Sequence, residues 1–204
     1  MTKIFAAAMM AVGMLAATTA VAAEQEKGRS TDLVEGRADA PITMIEYESY
    51  SCSHCAEFHR GTYPRLKKDW IATGKVRLVH RFAPGDIGDL AAARLTVCAA
   101  RKNRSLRDAF YAKSEDLAKL AAKERAEEKQ ALVIDIAANA GMPIDDMQAC
   151  IGERELSLDI LHGMKEAKEK YALKGTPTFI IDGTPVPGNI SYEKLVPLLK
   201  AIAK

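Results

Sequence analysis

Two cysteines with a two-residue gap, Cys52-Ser53-His54-Cys55, are the part of this chain with the clearest chemical capacity. The residues before them, 41–48, form a short apolar run of the kind a buried strand needs. The residues after them carry apolar positions at helical spacing, so Cys52 is expected at a helix start. Unpaired N–H groups and the helix dipole favour a thiolate there. Thiols so placed have pKa values of roughly 3.5–7.5 in place of about 8.5. His54 would add a positive charge beside Cys52 if protonated, or a hydrogen bond if neutral. Stabilising the thiolate stabilises the dithiol, which makes the corresponding disulfide a stronger oxidant. Cys55, further along the helix, is expected to be buried and to act as the resolving thiol.

Three other accounts of the pair compete with redox chemistry. A zinc site needs about four ligands, and no second Cys-x-x-Cys or histidine pair accompanies this one. His59, His80 and His162 are scattered, as are Cys98 and Cys150, so no metal is expected. An inert disulfide is rare at so short a spacing on a helix. Chance spacing sits poorly with a strand before the pair and a helix after it.

The elements that must position the pair can be read from the rest of the chain. A short strand is expected near residues 32–34, followed by the buried strand from Ile42 to Tyr47. Ser51 could cap a helix running from Cys52 to about Ala72, kinked at Pro64, with Cys55, Phe58, Tyr63, Leu66 and Trp70 on its apolar face. These aromatic residues read as core, not as a cofactor box. Residues 76–82 alternate as a second strand. Residues 87–171 are rich in Ala, Leu, Lys and Glu, with Gly141, Gly152, Gly163 and Pro143 the only Gly or Pro between Asp89 and Lys174. That is helical composition, with breaks expected at 102–104 and 141–143 and Asp145 a candidate cap. Residues 178–181 and 184–186, joined by Asp182-Gly183, read as a hairpin. A last helix from Tyr192 to Ala203 would place Leu195, Leu198, Leu199 and Ile202 on one face.

Composition narrows the function classes. The 204 residues are 48% hydrophobic and 27% charged, which excludes wholesale disorder. The net charge of +2 gives no electrostatic reason to expect nucleic acid. Residues 1–23 carry one early charge, Lys3, then an apolar run from Ile4 to Ala17, then small residues in which Ala20-Val-Ala22 and Val21-Ala-Ala23 both fit a cleavage rule. A cleaved secretory signal is expected, since the run is shorter than the roughly 20 residues a membrane span needs. With no cysteine at the cleavage region, a lipid anchor is not expected. The exported chain would meet an oxidising compartment.

A second motif, Gly175-Thr176-Pro177-Thr178, precedes a strand. Together, strand–CxxC–helix and Thr-Pro before a strand resemble the thioredoxin superfamily. Cys-x-His-Cys and a helical block between two halves of the core resemble, more closely, the DsbA-like periplasmic thiol:disulfide oxidoreductases. The resemblance covers residues 32–204. It implies an α/β thioredoxin fold with an inserted α-helical domain: 24–85 and 173–204 as the two parts of the core, 86–172 as the insertion. It implies a cis peptide at Pro177, beside the active-site disulfide, and a Thr176 backbone that pairs with substrate like an added strand. Glu46, or its same-face neighbour Glu48, matches the family's buried acid, able to relay a proton to or from Cys55. A DsbB-like membrane quinone reductase is the implied reoxidation partner, and reduced or misoxidised exported polypeptides are the implied substrates.

The chain departs from the family's best-known members at Ser53, where they carry Pro, which puts oxidising strength in doubt. Thr before the cis-proline also occurs among isomerases and reductases. Such isomerases usually carry an N-terminal oligomerisation domain, for which residues 24–40 are too few, so a monomer is expected. The expectation is an oxidase donating its Cys52–Cys55 disulfide, with no cofactor. A reductase or isomerase, and a non-enzymatic chaperone using an apolar groove near Pro177, remain alternatives. With Cys52 and Cys55 paired locally, Cys98 and Cys150 are left to bond each other or to stay as buried thiols. His80 and His162 are expected to be structural.

Overall fold

A computed structural model describes residues 28–203 of the chain. The expected signal segment, 1–23, lies outside them. Five strands form one mixed sheet: β1 (Leu33–Glu35), β2 (Ile42–Glu48), β3 (Val76–Phe82), β4 (Thr178–Ile181) and β5 (Thr184–Pro187), in the order β1-β3-β2-β4-β5. β2 and β3 run parallel, and the other neighbours are antiparallel. β2 is central and buried on both faces, which explains its nearly continuous apolar sequence.

Between β2 and β3 the chain crosses over through α1 (Ser53–Arg60), α2 (Thr62–Leu66) and a π-helical turn (Lys67–Ile71). One kinked helix was expected here. The break falls earlier than Pro64, at Gly61, and α2 tolerates Pro64 because proline in a first turn gives up an N–H that has no helical partner. Cys52, not Ser51, holds the N-cap of α1. Phe58, Tyr63, Leu66 and Trp70 cover one face of the sheet, together with Leu195 and Leu199 of the last helix, α9 (Tyr192–Ile202). Leu198 is exposed, contrary to expectation: Leu195 and Leu199, four residues apart, face the sheet and Leu198 turns out.

Six helices separate β3 from β4: α3 (Ile87–Arg101), α4 (Arg107–Ala112), α5 (Ser114–Ala121), α6 (Ala126–Asn139), α7 (Ile144–Gly152) and α8 (Arg154–Tyr171). The expected breaks are present, with three further ones, between α4 and α5, α5 and α6, and α7 and α8. Pro143, not Asp145, precedes α7, and its fixed φ suits the entry to a helix. α8 lays Ala167 and Met164 against Ile45, Tyr47, Val79 and Ile180 on the second face of the sheet. Tyr50, Cys55 and Phe82 extend into the apolar cluster of the helical block, so the cysteine loop is packed against both halves of the molecule. Among the described residues, no helix is long and apolar enough to cross a membrane.

Cys98 of α3 and Cys150 of α7 are joined by a disulfide. The bond closes a span of 52 residues, and chain-entropy reasoning puts its stabilisation near ~4 kcal/mol. The double substitution Cys98→Ala/Cys150→Ala is therefore expected to lower the unfolding free energy by up to about 4 kcal/mol in denaturant titration. The ionisation of Cys52 should not change, because the groups that set it are Cys55, Thr176 and the amides at the helix start.

Candidate active site

Cys52 is delivered to its position by the end of β2 and a tight loop. The loop is held from α3: the buried Asp89 carboxylate accepts hydrogen bonds from the backbone N–H of Tyr50 at 2.8 Å and of Gly85 at 2.9 Å. Burial pushes Asp89 up to about 6, against the bonds from Ser49, Gly85 and Tyr50 that favour its charge. Cys52 caps α1 from an extended backbone conformation. Its Sγ–H donates to the Thr176 carbonyl at 3.2 Å. Thr176–Pro177 is the cis peptide bond among the described residues. Its loop is tied by Thr178 Oγ1 donating to the Gly175 carbonyl at 2.8 Å, and by the Gly188 N–H donating to the Pro177 carbonyl at 2.9 Å. The two sequence motifs, 124 residues apart, thus form one site.

The two thiols differ sharply. Cys52 is half-buried and its pKa is lowered to about 5, first by the Cys55 thiol, then by Thr176 and the backbone amides of Cys55 and His54. Cys55 is fully buried; desolvation first, then the Cys52 and Glu46 charges, push its thiol far up. Both are free thiols, so the site is in its dithiol form. His54 was expected to act through its ring. His54 is an exposed residue, and its backbone N–H favours the Cys52 thiolate, as the helix-start geometry requires. Ser53 is exposed beside it.

Below Cys55 lies a buried ionic cluster. Glu46 and Glu48 are 1% and 0% exposed, so both acids point inward and neither faces solvent. Arg107, at the start of α4, holds Glu48 with two hydrogen bonds, Nε to Oε1 at 3.1 Å and Nη2 to Oε2 at 2.6 Å. Tyr111 adds a third at 2.8 Å. Burial would raise Glu48, but Arg107, His80 and Tyr111 outweigh it and keep the carboxylate charged. Glu46 lacks such a partner. Desolvation and the Glu48 charge raise its pKa, so it is the acid that readily holds a proton. His80 sits beside Glu46 in the parallel ladder, with Nδ1 3.1 Å from Glu46 Oε2 and Nε2 3.2 Å from Glu35 Oε1. Burial and Arg107 push the imidazole down; Glu48, Glu35 and Glu46 outweigh them and raise it.

Sequence reasoning chose Glu46 over Glu48 where the structure buries both, set His80 aside, and missed Arg107, Tyr111 and Glu35. One signal was available: two acids two apart in a strand otherwise apolar on both faces must have buried partners. Glu46, Glu48 and His80 put a ligand atom each within 4.8 Å of one another, as a metal site would. Their lone pairs and charge are already met by Arg107, Tyr111 and Glu35, so the cluster is balanced by protein groups.

A single strained-free account covers these features: a fold that joins a reactive cysteine at a helix start to a cis-proline loop. The thioredoxin family profile matches residues 29–201, and the chain belongs to that family. Its solved structural neighbours are DsbA-type oxidoreductases. Wolbachia pipientis alpha-DsbA1 is 25% identical, with a TM-score of 0.76 over 89% of this chain and 95% of that one. BdbD from Bacillus subtilis, in its oxidised form, shares the fold at 20% identity and a TM-score of 0.63, covering 85% of this chain and 93% of that one. A Rickettsia felis protein provisionally named a protein-disulfide oxidoreductase is 27% identical over 165 residues, 80% of this chain and 57% of the relative. The chain therefore spans just over half the length of that relative.

Two measurements test the site's electrostatics. A pKa near 5 keeps Cys52 a thiolate above that pH and protonates it below. Alkylation of the reduced protein should therefore stay fast from neutral pH down to about 5 and fall at lower pH. Arg107→Met leaves Glu48 buried and uncompensated, and is expected to cost about 3–5 kcal/mol of stability. Adding Glu48→Gln to it should recover much of that loss in the same denaturant titration.

Proposed function

We propose that this protein is an exported thiol:disulfide oxidoreductase that donates its Cys52–Cys55 disulfide to reduced polypeptides. The observation that carries the reading is the asymmetry of the two thiols: Cys52 lowered to about 5 by the Cys55 thiol, the Thr176 side chain and the amides at the helix start, Cys55 buried and pushed up. In the oxidised form a substrate thiolate attacks Cys52 Sγ, the Cys52–Cys55 bond breaks, and Cys55 leaves with the electron pair. Cys55 takes a proton, and a mixed disulfide joins substrate to Cys52. A second substrate thiolate then attacks the substrate sulfur of that bond. Cys52 leaves as a thiolate, the substrate holds a new disulfide, and the enzyme is a dithiol. Cys52 is the better leaving group because its thiolate is stabilised, which drives this direction. Thr176 offers its backbone to an extended substrate segment beside Cys52.

An oxidising compartment such as the periplasm is supported by residues 1–23, read as a cleaved signal, and by the disulfide between Cys98 and Cys150, which persists in such a space. A DsbB-like membrane quinone reductase would restore the Cys52–Cys55 disulfide. The enzyme acts as a monomer on extended chains.

The test is disulfide transfer to a reduced, unfolded protein, together with the reduction potential of the Cys52–Cys55 couple. Cys52→Ser is expected to abolish transfer without loss of fold. The potential should lie well above that of thioredoxin, about −270 mV. A potential near that value would replace the oxidase with a reductase or isomerase, and transfer unaffected by Cys52→Ser would point to a chaperone without redox chemistry.

A further inference from the structure

Each catalytic cycle must move a proton to and from Cys55, and this inference rests on the oxidoreductase reading above. Cys55 is 0% exposed and Glu46 is 1% exposed, so neither exchanges protons directly with water. The face around Cys52 is the face a substrate covers. The proton has to come from elsewhere.

The geometry points to His80 as the carrier that links Glu46 to Glu35, so that Cys55 is supplied with protons from a solvent cleft beside β1. The imidazole is clamped with one nitrogen on each carboxylate, Nδ1 at 3.1 Å from Glu46 and Nε2 at 3.2 Å from Glu35. A ring held this way passes a proton through without turning: it accepts at one nitrogen and releases at the other. His80 is fully buried, while the Glu35 side chain is 24% exposed. Glu35 and His80 line a cleft of about 580 Å³ together with Lys67, Arg107, Asp32 and Arg104. Cys52, Thr176 and Pro177 are not among its walls. A substrate seated on the cysteine face would leave this entrance open.

The groups facing His80 come from every element around it. Glu35 belongs to β1, Glu46 and Glu48 to β2, Tyr63 to α2, and Arg107 to α4, with Tyr63 meeting the imidazole edge-on at 6.0 Å between centroids. Lys67 bonds the far oxygen of Glu35 at 2.8 Å, and Tyr63 donates to the near one. Burial raises Glu35, but His80, Lys67 and Tyr63 outweigh it and hold it low. His80 is the first of these three. A neutral His80 with its proton on Nδ1 gives Glu35 less of that support and turns the Nε2 lone pair toward it, so Glu35 can take up a proton from the cleft and pass it on. In the transfer step, protonated Glu46 gives its proton to the leaving Cys55 thiolate. A proton taken up by Glu35 from the cleft then enters His80 at Nε2 as Nδ1 gives its own proton to Glu46, which leaves a neutral ring with its proton on Nε2. Reoxidation of the dithiol runs the same path outward.

His80 acts through Glu46 and is a positioning and relay residue, not one that touches substrate. The test uses the full mature chain in single-turnover reduction of its disulfide by a small reduced peptide, followed across pH. His80→Gln and, separately, Glu35→Gln are expected to slow the step at neutral pH by at least about tenfold. Added imidazole, small enough for the cleft, should restore the rate of the variants and leave the wild type unchanged. Cys52 ionisation should be the same in all three proteins. Glu35→Gln alters a partly exposed residue, so it decides the question if His80→Gln does not fold. Unchanged rates and pH profiles in the folded variants would overturn the relay while leaving the oxidoreductase reading intact. A wild type that exchanges no disulfide would overturn that reading itself.

Discussion

Two carboxylates in the middle of a central strand set the terms for the rest of this molecule. Glu46 and Glu48 lie under a layer of helix, where an uncompensated charge costs several kcal/mol. The compensation comes from three directions. Arg107 reaches in from the helical block, His80 stands alongside on β3, and Glu35 with Lys67 closes the cluster toward solvent. The helical block and the sheet are therefore joined electrostatically as well as by packing. The same arrangement makes the two acids unequal. Glu48 is held as an anion by Arg107, and its charge keeps Glu46 ready to hold a proton beside Cys55.

That inequality matches the inequality of the thiols. Cys52 is lowered by hydrogen bonds at the start of a helix, and Cys55 is raised by burial one turn further in. A disulfide between them stores a preference for one direction of attack. The cis-proline loop meets the first sulfur, and the buried acid Glu46 acts electrostatically on the second.

Much of the fold was legible in the sequence because it rests on local patterns. The apolar run of β2, the alternation of β3, the Asp182-Gly183 turn and the helical composition of 87–171 each declare an element without reference to the others. The misreadings are also local in cause. Gly61 was overlooked because Pro64 is the louder breaker, yet Pro64 sits where its missing N–H costs nothing. Leu198 looked apolar enough for the core, but its neighbours at 195 and 199 fix the buried stripe and leave it outside.

The sequence by itself determined that a reactive thiol pair opens a helix and that Thr176-Pro177 precedes a strand. These follow from residue type and spacing over a few positions, and the two motifs together resemble a thioredoxin-like plan. Only the tertiary structure decided how the parts meet. It placed the Thr176 carbonyl on the Cys52 sulfur, set the His54 amide to favour the Cys52 thiolate, and gathered Glu35, Glu46, Glu48, His80 and Arg107 into one cluster. The physical reason is that charge compensation is a property of proximity. Residues from β1, β2, β3 and α4 carry no shared sequence period, and only the strand order and the return of the helical block bring them together.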